Sequence, residues 1–192
     1  MDFLPIINQI ELFNILTPEE KVILSSLVQM EEYNVNQDLF TNKCDKVYFI
    51  INGMVKVQAV TYEDILKVLY FYGTGEFCTD VFSFLTGQKS NYKFIAVQRV
   101  NAMTITKTNM DYICDNYYNF LKCRSIWLEN YVMNLTKELE KFHFMTPEER
   151  YENILNTKPY LFQMLSNKDI ASIIGITPES FSRMLNRIIK RK

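Results

Sequence analysis

The chain has 192 residues, room for one large domain or two small ones. Hydrophobic residues make up 48% and charged residues 22%, with only 5 Gly and 5 Pro, which excludes a disordered or low-complexity chain. A net charge of −1 argues against nucleic acid being bound along the whole length, but from Thr146 onward eight basic residues face five acidic ones, net +3, and residues 1–145 carry −4.

That asymmetry suits a small DNA-binding module on a separate regulatory domain, although a solvated basic tail would give the same numbers. Three tetrapeptides open helices: Thr17-Pro18-Glu19-Glu20, Thr146-Pro147-Glu148-Glu149 and Thr177-Pro178-Glu179-Ser180. In each, Thr caps free amides, Pro fits the first turn and Glu favours the positive end of the helix dipole. The first helix is expected over 18–30, with Val22, Ile23, Leu24, Leu27 and Val28 on its apolar face. From Tyr33 to Thr106 the pattern changes to strands. Val47–Ile51 ends at Asn52-Gly53, a turn signal, and Met54, Val55 and Val57 begin the next strand. Further strands are expected at Ile65–Tyr72, Phe94–Gln98 and Ala102–Thr106, spaced as in an antiparallel barrel or sandwich, for which the 14% aromatic content provides core material.

From Asn109 to His143 there is no Gly or Pro, and the segment reads as a short helix followed by a long one. Leu121, Leu128, Leu135 and Phe142 recur every seven residues, with Tyr118, Ser125, Val132 and Leu139 three places before each. Such a seam is expected to pair two identical helices, with Tyr118, Leu121, Leu128, Val132, Leu135 and Leu139 at the dimer interface; a helix packed on its own domain is the alternative. Near Phe144–Thr146 the pattern breaks, as at a hinge between domains. Helices are then expected at 147–156, 167–174 and 178–190.

The segment 166–185 carries the strongest functional signal. Ser166 with Asp169 makes a helix cap, Ala171 is small where another helix must cross, Gly175 allows a turn, and Thr177 caps a second helix. Ile170, Ile174, Ile176, Phe181 and Leu185 form a shared apolar core at the spacing of a helix-turn-helix. In that arrangement 178–190 is the recognition helix, with Phe181, Leu185 and Ile188 inward and Glu179, Ser182, Arg183 and Asn186 outward. Arg183 suits guanine and Glu179 the amino group of cytosine; Ser166, Lys168, Arg187 and Lys190 suit phosphates, and Thr177 completes the expected DNA-binding set. A helical hairpin serving only protein contacts is the competing reading.

With these elements in order, nearly the whole chain resembles the Crp/Fnr superfamily of bacterial regulators. The residues that carry the resemblance are Tyr48–Val57, Gly75-Glu76-Phe77 and Ile170–Leu185. The resemblance implies an α+β fold: a double-stranded β-helix (jelly-roll-like) sensor domain of cyclic-nucleotide-binding type over 1–115, a dimerisation helix over 116–143, and an all-α helix-turn-helix domain over 146–192. It places Glu179 and Arg183 at the family's base-reading positions, with Pro178 where well-known members carry Arg. It implies an effector pocket at Gly75, Glu76, Ser90, Asn91 and Tyr92. Members that hold cyclic AMP use an Arg followed by Ser or Thr for the phosphate; here Ser90 and Asn91 fall at those positions, and Lys89 cannot offer the bidentate fork. A cyclic-nucleotide response of the usual kind is therefore not expected. A regulator answering to another small anion, or to cyclic nucleotide through the same pocket, is the alternative. The chain stops after the recognition helix, where many members continue into a β-hairpin wing, and Lys190-Arg191-Lys192 is expected to replace some backbone contacts electrostatically.

No cofactor or metal is expected. The four cysteines, Cys44, Cys78, Cys114 and Cys123, are scattered, as for free thiols in a reducing compartment. The single His143 sits at a helix end, where it favours the dipole. One histidine and no phosphate-cradling glycine motif leave no support for an enzyme. There is no signal-peptide pattern and no run of about 20 apolar residues, so the expected location is cytoplasmic, with no membrane partner. Expected partners are double-stranded DNA with a pseudo-palindromic operator, a second copy of the chain, an effector of undetermined identity, and RNA polymerase as a further candidate.

Overall fold

The computed structural model describes residues 2–60 and 66–191. The N-terminal segment holds a short helix α1 (Leu4–Ile7), a 3-10 turn (Glu11–Ile15) and α2 (Pro18–Leu27). Thr17 and Glu20 cap α2 reciprocally: the Glu20 amide donates to the Thr17 hydroxyl (3.2 Å) and the Thr17 amide to the Glu20 carboxylate (2.8 Å). The helix stops at Leu27, not at Met30 as the periodicity suggests, because Val28 turns extended (φ −88°, ψ 158°) and Gln29–Tyr33 becomes strand β1. Its backbone groups are taken by β7, with Gln29 opposite Thr104 and Tyr33 opposite Val100. Pairing across some 70 residues of sequence overrides the local helical pattern.

Six more strands follow: β2 (Lys46–Asn52), β3 (Val55–Val60), β4 (Leu66–Tyr72), β5 (Phe77–Cys78), β6 (Tyr92–Ala96) and β7 (Val100–Thr106). They form one sheet in the order β1-β7-β2-β5 and another in the order β4-β3-β6. The expected strands are present with shifted ends; Ile65, the expected start of the third, lies outside the described residues. The Asn52-Gly53 turn is required by geometry. Gly53 has φ +109°, and a Cβ there would stand 2.6 Å from the Arg99 carbonyl oxygen. A short helix α3 (Val81–Thr86), capped by Asp80, was not legible in the pattern. The helical segment after β7 divides into α4 (Lys107–Asn116) and α5 (Tyr118–Phe144), the short and long helices expected. The C-terminal helices are α6 (Pro147–Thr157), α7 (Leu161–Met164), α8 (Asn167–Ile173) and α9 (Pro178–Arg191). No described helix is long and apolar enough to cross a membrane.

The chain separates into two compact units: residues 1–56 with 71–132, and residues 57–70 with 133–192. The division passes through β3, β4 and α5 rather than through the Phe144–Thr146 break. In the first unit, α1, α2, α4 and the start of α5 bury Ile7, Phe13, Leu24, Ile113 and Phe120 together with Val47, Met103 and Ile105 of the four-stranded sheet. Burying such side chains is worth about 1.5–3 kcal/mol each, which is what holds this unit.

All four cysteines are free and buried in the first unit. Desolvation disfavours the thiolate at each, and Cys123 is pushed up to about 11. Native protein at pH 8 should therefore react slowly with a thiol reagent and release four equivalents only on unfolding. Rapid titration of the native chain would contradict this packing.

Candidate nucleic-acid interface

The second unit contains the expected helix-turn-helix. Ser166 caps α8, its hydroxyl accepting from the Asp169 amide (3.1 Å) and donating to the Asp169 carboxylate (2.9 Å). Ile170, Ala171 and Ile174 of the first helix and its turn are buried, and Phe181 and Met184 of α9 pack in the same core. Ile176, Leu185 and Ile188 are half-buried. Met184 was not among the inward residues expected from the sequence, yet it is buried; the inward stripe is 181, 184, 185 and 188, a regular helical spacing. Tyr151 of α6 completes the core, its ring 5.2 Å from Phe162 and 5.8 Å from Phe181.

Gly175 makes the turn with φ +77°, a conformation that costs roughly 1–2 kcal/mol for a residue with a side chain. The amides of Gly175 and Ile176 close back on the Ser172 and Ala171 carbonyls (3.1 and 3.0 Å). A Cβ at residue 175 would also stand 2.6 Å from Cζ of Phe142.

The expected DNA-binding residues are all solvent-exposed: Ser166, Lys168, Thr177, Glu179, Ser182, Arg183, Asn186, Arg187 and Lys190. Thr177 caps α9 by accepting from the Ser180 amide (3.2 Å). Arg183 gives one hydrogen bond to the Ser180 hydroxyl (3.0 Å). That bond is exposed and readily exchanged for a ligand. Glu179 is held below the usual carboxylate range by hydrogen bonds from its own amide and from Thr177, and by the nearby Arg183. It therefore stays anionic, an acceptor only. Arg187 pairs with Glu148 of α6 (3.0 Å). Arg183 and Arg187 line a groove of about 580 Å³ together with Thr146, Pro147, Glu148, Ile176, Ser180 and Met184. Glu148 was not anticipated as part of this surface. Its helix-start position explained it fully in sequence, and the α6–α9 pairing spans 39 residues.

A second unanticipated contact lies on α8. The Ser172 hydroxyl accepts from the Val68 amide (2.8 Å) and donates to the Val68 carbonyl (2.9 Å), so one serine satisfies both backbone groups of a β4 residue. Lys158 lies over the Tyr70 ring (5.4 Å).

In the first unit, the expected effector residues are held by separate sets of bonds. The Gly75 amide donates to the Ile50 carbonyl (2.8 Å), and the Glu76 carboxylate accepts from the Gly73 amide (2.6 Å). The buried Ser90 donates its hydroxyl to the buried Asp80 carboxylate (2.6 Å) and accepts from the Tyr92 amide (3.0 Å). Asn91 and Tyr92 are exposed. Among the described residues no group of three or more His, Cys, Asp or Glu is placed to hold a metal.

Along α5, Tyr118, Leu121, Val132, Leu135 and Leu139 are 41–76% exposed and Leu128 is half-buried. Phe142 continues the heptad in sequence, yet its ring meets Arg150 (4.7 Å) and the Gly175 turn of the same chain.

No protein-family model matches the sequence, and no curated protein matches it. Solved structures do match. A transcriptional regulator of the Crp/Fnr family from Eubacterium rectale superposes with a TM-score of 0.77 at 13% identity, over 96% of this chain and 88% of that one. The c-di-GMP-responsive global regulator CLP of Xanthomonas campestris gives 0.70 at 15%, over 91% and 93%. The catabolite activator protein of Thermus thermophilus gives 0.57 at 19%, over 94% and 87%. The chain thus has the α+β fold of Crp/Fnr-type regulators along nearly its whole length.

Replacing Gly175 with Ala should destabilise the second unit by about 1–2 kcal/mol, from the backbone conformation alone, with a further cost if the Phe142 ring cannot give way. Chemical denaturation followed by circular dichroism measures this; an unchanged midpoint would mean that the turn is not as described.

Proposed function

We propose that the protein is a DNA-binding transcription regulator of Crp/Fnr type, cytoplasmic, acting as a homodimer on a pseudo-palindromic operator. The observation that carries the reading is the solvent-facing display of Glu179, Ser182, Arg183, Asn186 and Arg187 on an α9 whose other face is locked in a helix-turn-helix core. Base reading falls to Arg183, whose fork matches the two acceptors of guanine, and to the anionic Glu179. Ser166, Lys168, Arg187 and Lys190 take phosphates, with Thr177 supporting the start of the helix. The role is one of binding, with no catalytic residue assigned.

The dimer follows from the exposed α5 seam. Apolar side chains at Leu121, Val132, Leu135 and Leu139 in heptad register are best covered by the same helix of a second copy. Two recognition helices then meet half-sites about 34 Å apart.

For the N-terminal jelly-roll-like domain, a ligand-free role or an effector other than a cyclic nucleotide fits best. The Ser90 hydroxyl is already bonded to Asp80, so an incoming phosphate would meet that carboxylate at the position where cyclic-AMP-binding members carry their arginine. RNA polymerase remains a candidate partner for this domain.

Selection of bound fragments from random DNA, followed by anisotropy titration, tests the central claim. Arg183→Ala should lower affinity for the selected site by about 1–3 kcal/mol and relax preference at one base pair in each half-site. Unchanged affinity and preference would remove Arg183 from the interface. Leu135→Glu should yield a monomer by sedimentation that no longer binds the full site tightly. Calorimetry with cyclic AMP and cyclic GMP should give no binding heat; saturable heat from either would restore the cyclic-nucleotide alternative.

A further inference from the structure

The sequence breaks at Phe144–Thr146 as a hinge would, yet the backbone at Met145 and Thr146 is hydrogen-bonded. The Met145 amide donates to Lys141 (3.1 Å), the Thr146 amide to the Glu149 carboxylate (2.7 Å), and the Thr146 carbonyl accepts from the Arg150 amide (3.0 Å). The Arg150 side chain supplies the rest. Its Nη1 donates to the carbonyls of Phe142 (3.1 Å) and Met145 (2.6 Å). Its Nε and Nη2 both donate to the carbonyl of Ile174 (2.9 and 2.7 Å), at the end of α8. The Phe142 ring stacks 4.7 Å from the guanidinium carbon and closes against Gly175.

One planar group therefore joins three peptide carbonyls from two places: the last turns of α5 and the turn that launches α9. The contacts are directional and share one plane, so they fix orientation as well as distance. Residues 133–144 of α5 also belong to the same compact unit as α6–α9, and the boundary inside α5 falls at Val132/Met133.

We propose that Arg150 is a positioning residue for DNA recognition: it straps the recognition helix to the C-terminal end of α5, so that the two move as one body and bending takes place upstream of Phe142 rather than at residues 144–146. The functional half of this proposal rests on the DNA-binding reading above; the mechanical half does not. A rigid strap means that a change in how α5 is held reaches α9 undiminished, which a free hinge would absorb.

The test uses Arg150→Met, which keeps bulk and removes every donor, and Arg150→Lys, which keeps the charge and loses the fork. Nitroxides on cysteines introduced at Lys137 and Ser182, both exposed, report the α5–α9 distance in full-length chain diluted with unlabelled protein. The native thiols are buried and leave the labelling to the introduced pair. Unsubstituted Arg150 should give one narrow distance distribution, and both variants a distribution at least twice as wide. Preference for the selected site over random DNA should fall roughly tenfold in both variants, with low-salt binding to random DNA unchanged. A narrow distribution in Arg150→Met, or lysine behaving as arginine does, overturns the strap. Should the helical dichroism of either variant collapse, Phe142→Leu, which removes the ring and leaves the four hydrogen bonds, must give an intermediate width, and a wild-type width would count against the proposal. If the unsubstituted protein shows no sequence preference on DNA, the DNA-binding reading fails, and the distance measurement still decides the strap.

Discussion

The last carbonyls of a helix have no amide within the helix to accept from, and at the end of α8 Ile174 is also fully buried. Two N–H groups of Arg150 satisfy its carbonyl. Around that single acceptor the rest of the C-terminal unit is arranged. Gly175 follows in a left-handed conformation, the chain reverses, Thr177 starts α9, and Phe142 seals the outside of the turn. Leaving the carbonyl unmet would cost on the order of 1–3 kcal/mol, a large share of the stability of so small a domain. Since the donor comes from α6 and also binds the end of α5, the requirement to satisfy one peptide group fixes the direction in which Arg183 and its neighbours face.

The charge distribution is coherent with that display. The basic excess of the C-terminal segment sits largely on exposed positions of α8 and α9, where it is available to a polyanion. It is tempered locally by Glu148, whose pairing with Arg187 must open if that arginine is to reach a phosphate. An exposed pair of this kind is worth little in water, typically under 1 kcal/mol, so the exchange is easily made. In the first unit the opposite holds. Asp80 and Ser90 are buried and mutually bonded, and Asp80 also caps α3 through the Ser83 amide (3.2 Å). That arrangement is a built-in structural use of groups which, in an anion site, would have to be free.

Much of the molecule was legible in the sequence because its signals are local. Caps at Thr17, Thr146, Ser166 and Thr177, the Asn52-Gly53 and Gly175 turns, and the apolar runs of β2, β3, β4 and β7 each depend on residues within a few positions of one another. The apolar spacing of α8 and α9 placed nine residues on the outward side, and all nine are exposed. What local pattern could not supply was competition from distant partners. Residues 28–30 continue a helical pattern and are extended because β7 takes the hydrogen bonds of the segment they enter. Phe142 continues a heptad and turns instead to its own Gly175. The break at 144–146 looks free in sequence and is held by a guanidinium.

The sequence alone therefore determined where α2, α6, α8 and α9 start, most of their apolar faces, and the helix-turn-helix pattern of the C-terminal pair, since capping and periodicity act over four or five residues. Only the tertiary structure decided that Arg150 meets the Ile174 carbonyl, that Ser172 binds both backbone groups of Val68, and that Ser90 is committed to Asp80. Those pairings join residues from 10 to 104 positions apart, and a hydrogen bond across such a gap depends on the path of the chain between its ends, which no local preference encodes.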